Sequence, residues 1–165
     1  MSRCALVTGA AAGIGAAIAE RLAADGWDVH GLVLPNDPAL PELIQRAPAV
    51  QLHEGDLGDA DQMAALVDQL EPEQIYNLGG ISSVAFSWDH PLLTSRITGF
   101  GAAALLEAAW TTQQRLGRPV RMLQASSAEI FGSPEQSPQT ELTAIRPQSP
   151  YGVAKKAVGE YLYYY

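Results

Sequence analysis

A short apolar run, Cys4-Ala5-Leu6-Val7-Thr8, passes directly into Gly9-Ala10-Ala11-Ala12-Gly13-Ile14-Gly15, after which Ile14, Ile18 and Leu22 recur every four residues. A run of that length ending in glycine reads as a buried strand, and the spacing of four predicts a helix from Gly13 to Ala24 with those three side chains on one face. A glycine turn joining a first strand to a first helix narrows the choice of fold sharply. Gly9 permits a tight turn, Gly13 lets the backbone approach a pyrophosphate, and Gly15 lets helix and strand pack closely. The helix N-terminus adds amide donors and the positive end of its dipole. A glycine cluster alone is an ordinary turn; placed here, Gly9, Gly13, Ile14 and Gly15 predict a dinucleotide-binding site.

The rest of the chain alternates in the same way. Strands are predicted over Trp27 to Leu34, Ala49 to His53, Gln74 to Leu78 and Val120 to Ser126. Between them lie helices from Ala39 to Arg46, from Asp59 through Leu70, and across Pro91 to Leu116, and a last one runs from near Pro150 to the chain end. Asp59 followed by Gln62 is a capping-box pattern. No strand shows polar–apolar alternation, as expected of parallel strands covered by helices on both faces. The expected fold class is therefore α/β, a doubly wound parallel sheet (Rossmann) within a single domain, residues 1–165, with ligands at the carboxyl ends of the strands. A net charge of −8 argues against nucleic acid and anionic membrane as partners. No stretch of the sequence is long enough to span a bilayer, and no signal peptide is expected. The single cysteine, Cys4, suits a reducing cytoplasm. His30, His53 and His90 are scattered, so no metal site is expected.

Chemistry-bearing residues cluster at the predicted strand ends. Tyr151-Gly152-Val153-Ala154-Lys155 puts a phenol and an ammonium four residues apart on one helix face. The ammonium favours the phenolate, and such a phenol can act as general base on a sugar hydroxyl during hydride transfer. Ser126-Ser127-Ala128-Glu129 follows the fifth strand, where a hydroxyl can hold a substrate oxygen against the tyrosine; Glu129 is either a second functional carboxylate or an ordinary loop acid. Asp56-Leu57 after the third strand can meet an adenine amino group and ring, and Leu78-Gly79 after the fourth can pass a cofactor closely. Asp37, after the second strand, either holds the ribose of NAD or only shapes a turn; no arginine that would favour NADP is near in sequence.

Taken together, the glycine turn, Gly55-Asp56-Leu57, Ile75-Tyr76-Asn77-Leu78, Gln124-Ala125-Ser126-Ser127-Ala128-Glu129 and Ser149-Pro150-Tyr151-Gly152-Val153-Ala154-Lys155 resemble the extended short-chain dehydrogenases. Within that group, Ile81-Ser82-Ser83-Val84-Ala85-Phe86-Ser87-Trp88 and Pro138-Gln139-Thr140-Glu141 are similar to GDP-mannose 4,6-dehydratases. The resemblance implies a lyase that makes GDP-4-keto-6-deoxymannose from GDP-mannose with bound NADP, NAD not excluded. Tyr151 and Lys155 would begin C4 oxidation and also touch the cofactor, Ser127 would polarise the C4 oxygen, and Glu129 would remove the C5 proton. Ser83 would contact the substrate. The resemblance also implies a homodimer or homotetramer, with the Ala102 to Ala109 face and the helix from Pro150 either in a helix bundle or packed on the sheet. Alternatives from the same residues are a sugar-nucleotide epimerase or decarboxylase, or a non-catalytic dinucleotide-binding fragment. The sequence departs from the family pattern in its glycine spacing, in Val33-Leu34 where an arginine is usual, and in stopping at Tyr165. The fold is therefore expected to be truncated before the carboxyl-terminal substrate domain, and the 165 residues alone are expected to be inactive.

Overall fold

The computed structural model describes residues 3–164. Five strands, β1 (Cys4–Thr8), β2 (Asp28–Val33), β3 (Gln51–Glu54), β4 (Gln74–Asn77) and β5 (Arg121–Gln124), form one sheet in the order β3-β2-β1-β4-β5. All four pairings are parallel. Order reverses between β2 and β4 on either side of β1, which opens a crevice at the carboxyl end of β1, where the glycine turn lies. This is the doubly wound Rossmann sheet expected from the sequence.

Side chains of β1 divide between two cores. Ala5 and Val7 pack with Val29 and Val33 against Ala16, Ala19 and Leu22 of α1 (Gly13–Ala24) and Leu43 of α2 (Leu40–Arg46). Leu6 faces the other way, with Leu32 and Ile75, onto Met63 and Val67 of α3 (Ala60–Leu70) and Leu105 and Ala109 of α6 (Gly101–Leu116). Each large aliphatic side chain so buried stabilises by roughly 1.5–3 kcal/mol before entropy is counted. The outer strands differ from the sequence reading. Gln51 and Glu54 of β3 and Arg121 and Leu123 of β5 are exposed, because each of these strands has a sheet neighbour on only one side among the described residues.

Three local readings are also corrected. Ile14 does not join Leu22 in the core; it is 71% exposed, while Gly15, Ala16, Ala19 and Leu22 form the buried face of α1. The helix approaches too closely for a large side chain there: a Cβ on Gly15 would lie 2.1 Å from the Gly9 carbonyl oxygen. The Asp59–Gln62 box closes only halfway. Asp59 accepts the Gln62 amide at 3.0 Å, but the Gln62 side chain turns to Asp56, whose N–H donates to Gln62 Oε1 at 3.0 Å. Finally, Pro91 to Leu116 is helical but not uniformly α. It runs as α5 (Pro91–Thr94), a π-helical stretch (Ser95–Phe100) and α6, preceded by a short helix α4 (Val84–Asp89) that the sequence reading left unassigned. Ala102, Ala108 and Ala109 are buried, so much of the alanine-rich face of α6 packs inward. The last helix, α7, spans Pro150–Tyr164. No helix among the described residues is long and apolar enough to cross a membrane.

Candidate active site

The floor of the crevice is backbone. Gly9, at φ +65°, presses against the exit of β4: a Cβ on Gly9 would lie 2.9 Å from the Gly79 nitrogen, and one on Gly79 would lie 2.9 Å from Thr8 Oγ1. Gly13, at φ +57°, is different, since a Cβ there would meet nothing within 4 Å. The conformation demands glycine while the space above it stays open. Moreover, the N-cap residue of α1, Ala12, offers no side-chain cap and the first turn holds no acid, whereas α3 and α4 are capped by Asp59 and Ser83. An uncapped helix N-terminus beneath an open glycine turn suits a pyrophosphate.

Two cavities meet over this turn. One, about 410 Å³, is walled by Leu32, Val33, Leu34, Asp37, Asp56, Leu57 and Ile97. The other, about 290 Å³, is walled by Ile14, Gly15, Ala125, Ser126, Tyr151 and Lys155. They share Gly9, Ala12 and the segment Leu78 to Ser82. Gly9, Ile14, Gly15, Asp56, Leu57, Leu78, Gly79, Tyr151 and Lys155 are thus brought to one continuous cleft. Asp56 is not idle there: Oδ1 accepts the Gly58 N–H at 2.8 Å and Oδ2 pairs with Arg96 at 3.4 Å. Asp37 lines the cleft and also shapes its turn, accepting the Ala39 N–H at 2.9 Å.

At the other end, Lys155 is 8% exposed and Tyr151 7%. Lys155 Nζ donates to the Ala125 carbonyl at 2.9 Å and stands 6.0 Å from the Tyr151 ring centre. Burial holds the lysine pKa below its usual value. The first turn of α7 is anchored from two sides. The Tyr151 N–H donates to Ser87 Oγ of α4 at 3.2 Å, and Ser149 Oγ accepts the Gly152 N–H at 3.0 Å. With that lone pair engaged, the Ser149 hydroxyl faces Glu129 Oε2 at 3.4 Å.

Gly13, Ser83, Ser127 and Glu129 are not on the walls of either cavity. Ser127 Oγ accepts the Glu129 N–H at 3.2 Å and opens a short 3-10 turn, Ala128–Ile130; Ser126 is the serine on the wall. Ser83 is exposed and caps α4 by accepting the Phe86 N–H at 3.1 Å.

The sequence reading also missed a polar bridge across the strand ends. Thr8 Oγ1 donates to Asn77 Oδ1, Asn77 Nδ2 donates to Gln124 Oε1 at 2.6 Å, and Gln124 Nε2 donates to the Ala125 carbonyl at 2.9 Å. The bridge ends on the carbonyl that receives Lys155. Polar residues at the carboxyl ends of three strands were its only trace in the sequence.

The model of the GDP-mannose 4,6 dehydratase family matches residues 6–165. The chain belongs to that family. Among similar proteins are GDP-mannose 4,6 dehydratase 1 of Arabidopsis thaliana, 36% identical over 95% of this chain, and the human GDP-mannose 4,6 dehydratase, 36% identical over 92%. This family member spans less than half the length of those relatives, 46% and 42% respectively. Among solved structures, the Thermus thermophilus UDP-glucose 4-epimerase in complex with NAD superposes with a TM-score of 0.82 at 28% identity, covering 98% of this chain and 50% of that one. A Campylobacter jejuni UDP-Glc/GlcNAc 4-epimerase, at TM-score 0.86 and 21% identity, shares the fold, covering 98% of this chain and 48% of its own.

Proposed function

We propose that the chain forms the dinucleotide-binding and catalytic half of a sugar-nucleotide 4,6-dehydratase that converts GDP-mannose to GDP-4-keto-6-deoxymannose. The observation that carries the proposal is Tyr151 and the buried Lys155 on the wall of a cleft that continues over the open glycine turn. A nicotinamide dinucleotide fits the uncapped start of α1 and would supply hydride acceptance from C4 and its return to C6. The resemblance implies NADP, and the NAD complex of the Thermus relative keeps NAD open.

Tyr151 takes the proton of the C4 hydroxyl, with the Lys155 ammonium fixed beside it on the Ala125 carbonyl. Ser127 spends a lone pair on the Glu129 amide and keeps its own proton to donate to the C4 oxygen. Glu129, steered by Ser149, removes the C5 proton, and water then leaves from C6. Ser83 would contact the sugar nucleotide from the start of α4, and a homodimer or homotetramer is the expected assembly. A simple 4-epimerase, the activity named for both solved neighbours, inverts C4 without removing the C5 proton, so Glu129 separates the two readings.

Incubating the full-length protein with GDP-mannose in deuterated water tests the reading. Expected is a 4-keto-6-deoxy product carrying deuterium at C5, abolished in Tyr151→Phe. In Glu129→Gln, oxidation at C4 should persist while exchange at C5 is lost; undiminished exchange in that variant would remove Glu129 from the role.

A further inference from the structure

We propose that this protein takes NAD in preference to NADP, and that Asp37 makes the choice. The inference rests on the reading of the cleft as a nicotinamide-dinucleotide site. With the pyrophosphate over Gly13 and the nicotinamide toward Tyr151, the adenosine ribose falls at the end of the cleft formed by the carboxyl ends of β2 and β3. That end is walled by Val33, Leu34, Asp37, Gly55 and Asp56.

Asp37 is held in place by its own turn. Its carboxylate accepts the Ala39 N–H at 2.9 Å, its N–H donates to the Leu34 carbonyl at 3.3 Å, and its carbonyl accepts the Leu40 N–H at 3.1 Å. One carboxylate oxygen is engaged by Ala39, and the other remains to accept a hydroxyl. A ribose 2′-hydroxyl is a donor and matches it. A 2′-phosphate is an anion and meets like charge.

Nothing on this wall offsets that repulsion. No lysine or arginine lines the cavity among the described residues. Arg96, the cation adjoining Asp56, pairs with that carboxylate at 3.4 Å, and Arg46 of α2 pairs with Glu20 and Glu42. The apolar Leu34, 56% exposed on the same wall, offers a phosphate neither charge nor donor. Asp37 and Leu34 therefore line the end of the cleft where the two cofactors differ.

Calorimetric titration of the protein with NAD and with NADP tests this directly. NAD should bind tighter by on the order of a hundredfold, the scale of a like-charge contact inside a binding site. Asp37→Asn keeps an acceptor for the Ala39 N–H and removes the charge, so it should narrow the gap to roughly tenfold or less. Leu34→Arg combined with Asp37→Asn should reverse the order. Equal affinity in the parent, or an unchanged ratio in Asp37→Asn, overturns the role of Asp37 and leaves the dinucleotide site standing. Binding of neither cofactor overturns both.

Discussion

Replacing Asn77 with alanine removes the centre of the polar bridge beneath the active site. Asn77 and Thr8 are both 0% exposed, and Asn77 accepts from Thr8 and donates to Gln124. The substitution leaves the Thr8 hydroxyl without that acceptor and Gln124 Oε1 without that donor. An unsatisfied buried group costs about 1–3 kcal/mol. Thr8 loses the acceptor for its buried proton although it still accepts the Gly79 N–H, and the half-buried Gln124 recovers part of its loss from water, so the sum is about 2–4 kcal/mol. For a domain of this size that lowers Tm by roughly 5–15 °C. The effect should also reach the chemistry, because Gln124 and Lys155 donate to the same Ala125 carbonyl. Thermal melting followed by circular dichroism, with the pH profile of turnover, is the assay. A Tm equal to the parent's, with an unshifted profile, would refute the claim that the bridge ties the strand ends to Lys155.

Further outcomes follow from single contacts. Gly15→Ala forces a Cβ to within 2.1 Å of the Gly9 carbonyl oxygen and should cost about 1–3 kcal/mol along with dinucleotide affinity, whereas Gly159→Ala meets nothing within 4 Å and should be neutral or stabilising; equal melting and titration curves for the two would contradict the packing argument. Burial lowers the Lys155 pKa, so carrying its charge opposes folding; Lys155→Met should abolish turnover while leaving Tm as high as the parent's or higher, and a marked loss of Tm would show that its bond to Ala125 outweighs burial. His53 has its pKa lowered by burial and by the adjacent His30, 2.9 Å away, so the unfolded chain takes up the proton first as pH falls below about 6.5. Stability should be complete above that pH and fall below it until the folded pKa is passed; urea titrations of His53→Gln should show a shallower acid slope, and an unchanged slope would exclude the pair as its source.

What the sequence made legible was local. The glycine turn, the start of α7 and the Asp59 cap depend on residues within a few positions of one another, and each is found where the spacing put it. What escaped depends on the order of strands. Thr8 and Asn77 meet only because β1 pairs with β4, and Asn77 reaches Gln124 only because β4 pairs with β5. Ser87 reads as one polar residue in a short apolar segment until α4 is seen to carry it to the Tyr151 amide. Ile14 shares the spacing of Leu22 and is also expected at the dinucleotide site; exposed on the cleft wall, it follows the second expectation and leaves the buried face of α1 to Gly15, Ala16, Ala19 and Leu22. Periodicity could not foresee the π-helical stretch either, in a segment where Thr98 Oγ1 accepts the Ile81 N–H at 2.9 Å and where Gly99 and Gly101 pass α7 and Leu57 closely.

The central claim is that one cleft takes hydrogen from C4 of a GDP-sugar and returns it to C6, with Tyr151 and Lys155 beside the transfer. GDP-mannose carrying deuterium at C4 tests it most directly. Incubated in ordinary water with the full-length protein and its bound dinucleotide, it should give a product one water lighter, with the deuterium recovered at C6. Loss of the label to solvent, its retention at C4, or full transfer in Tyr151→Phe would contradict the account.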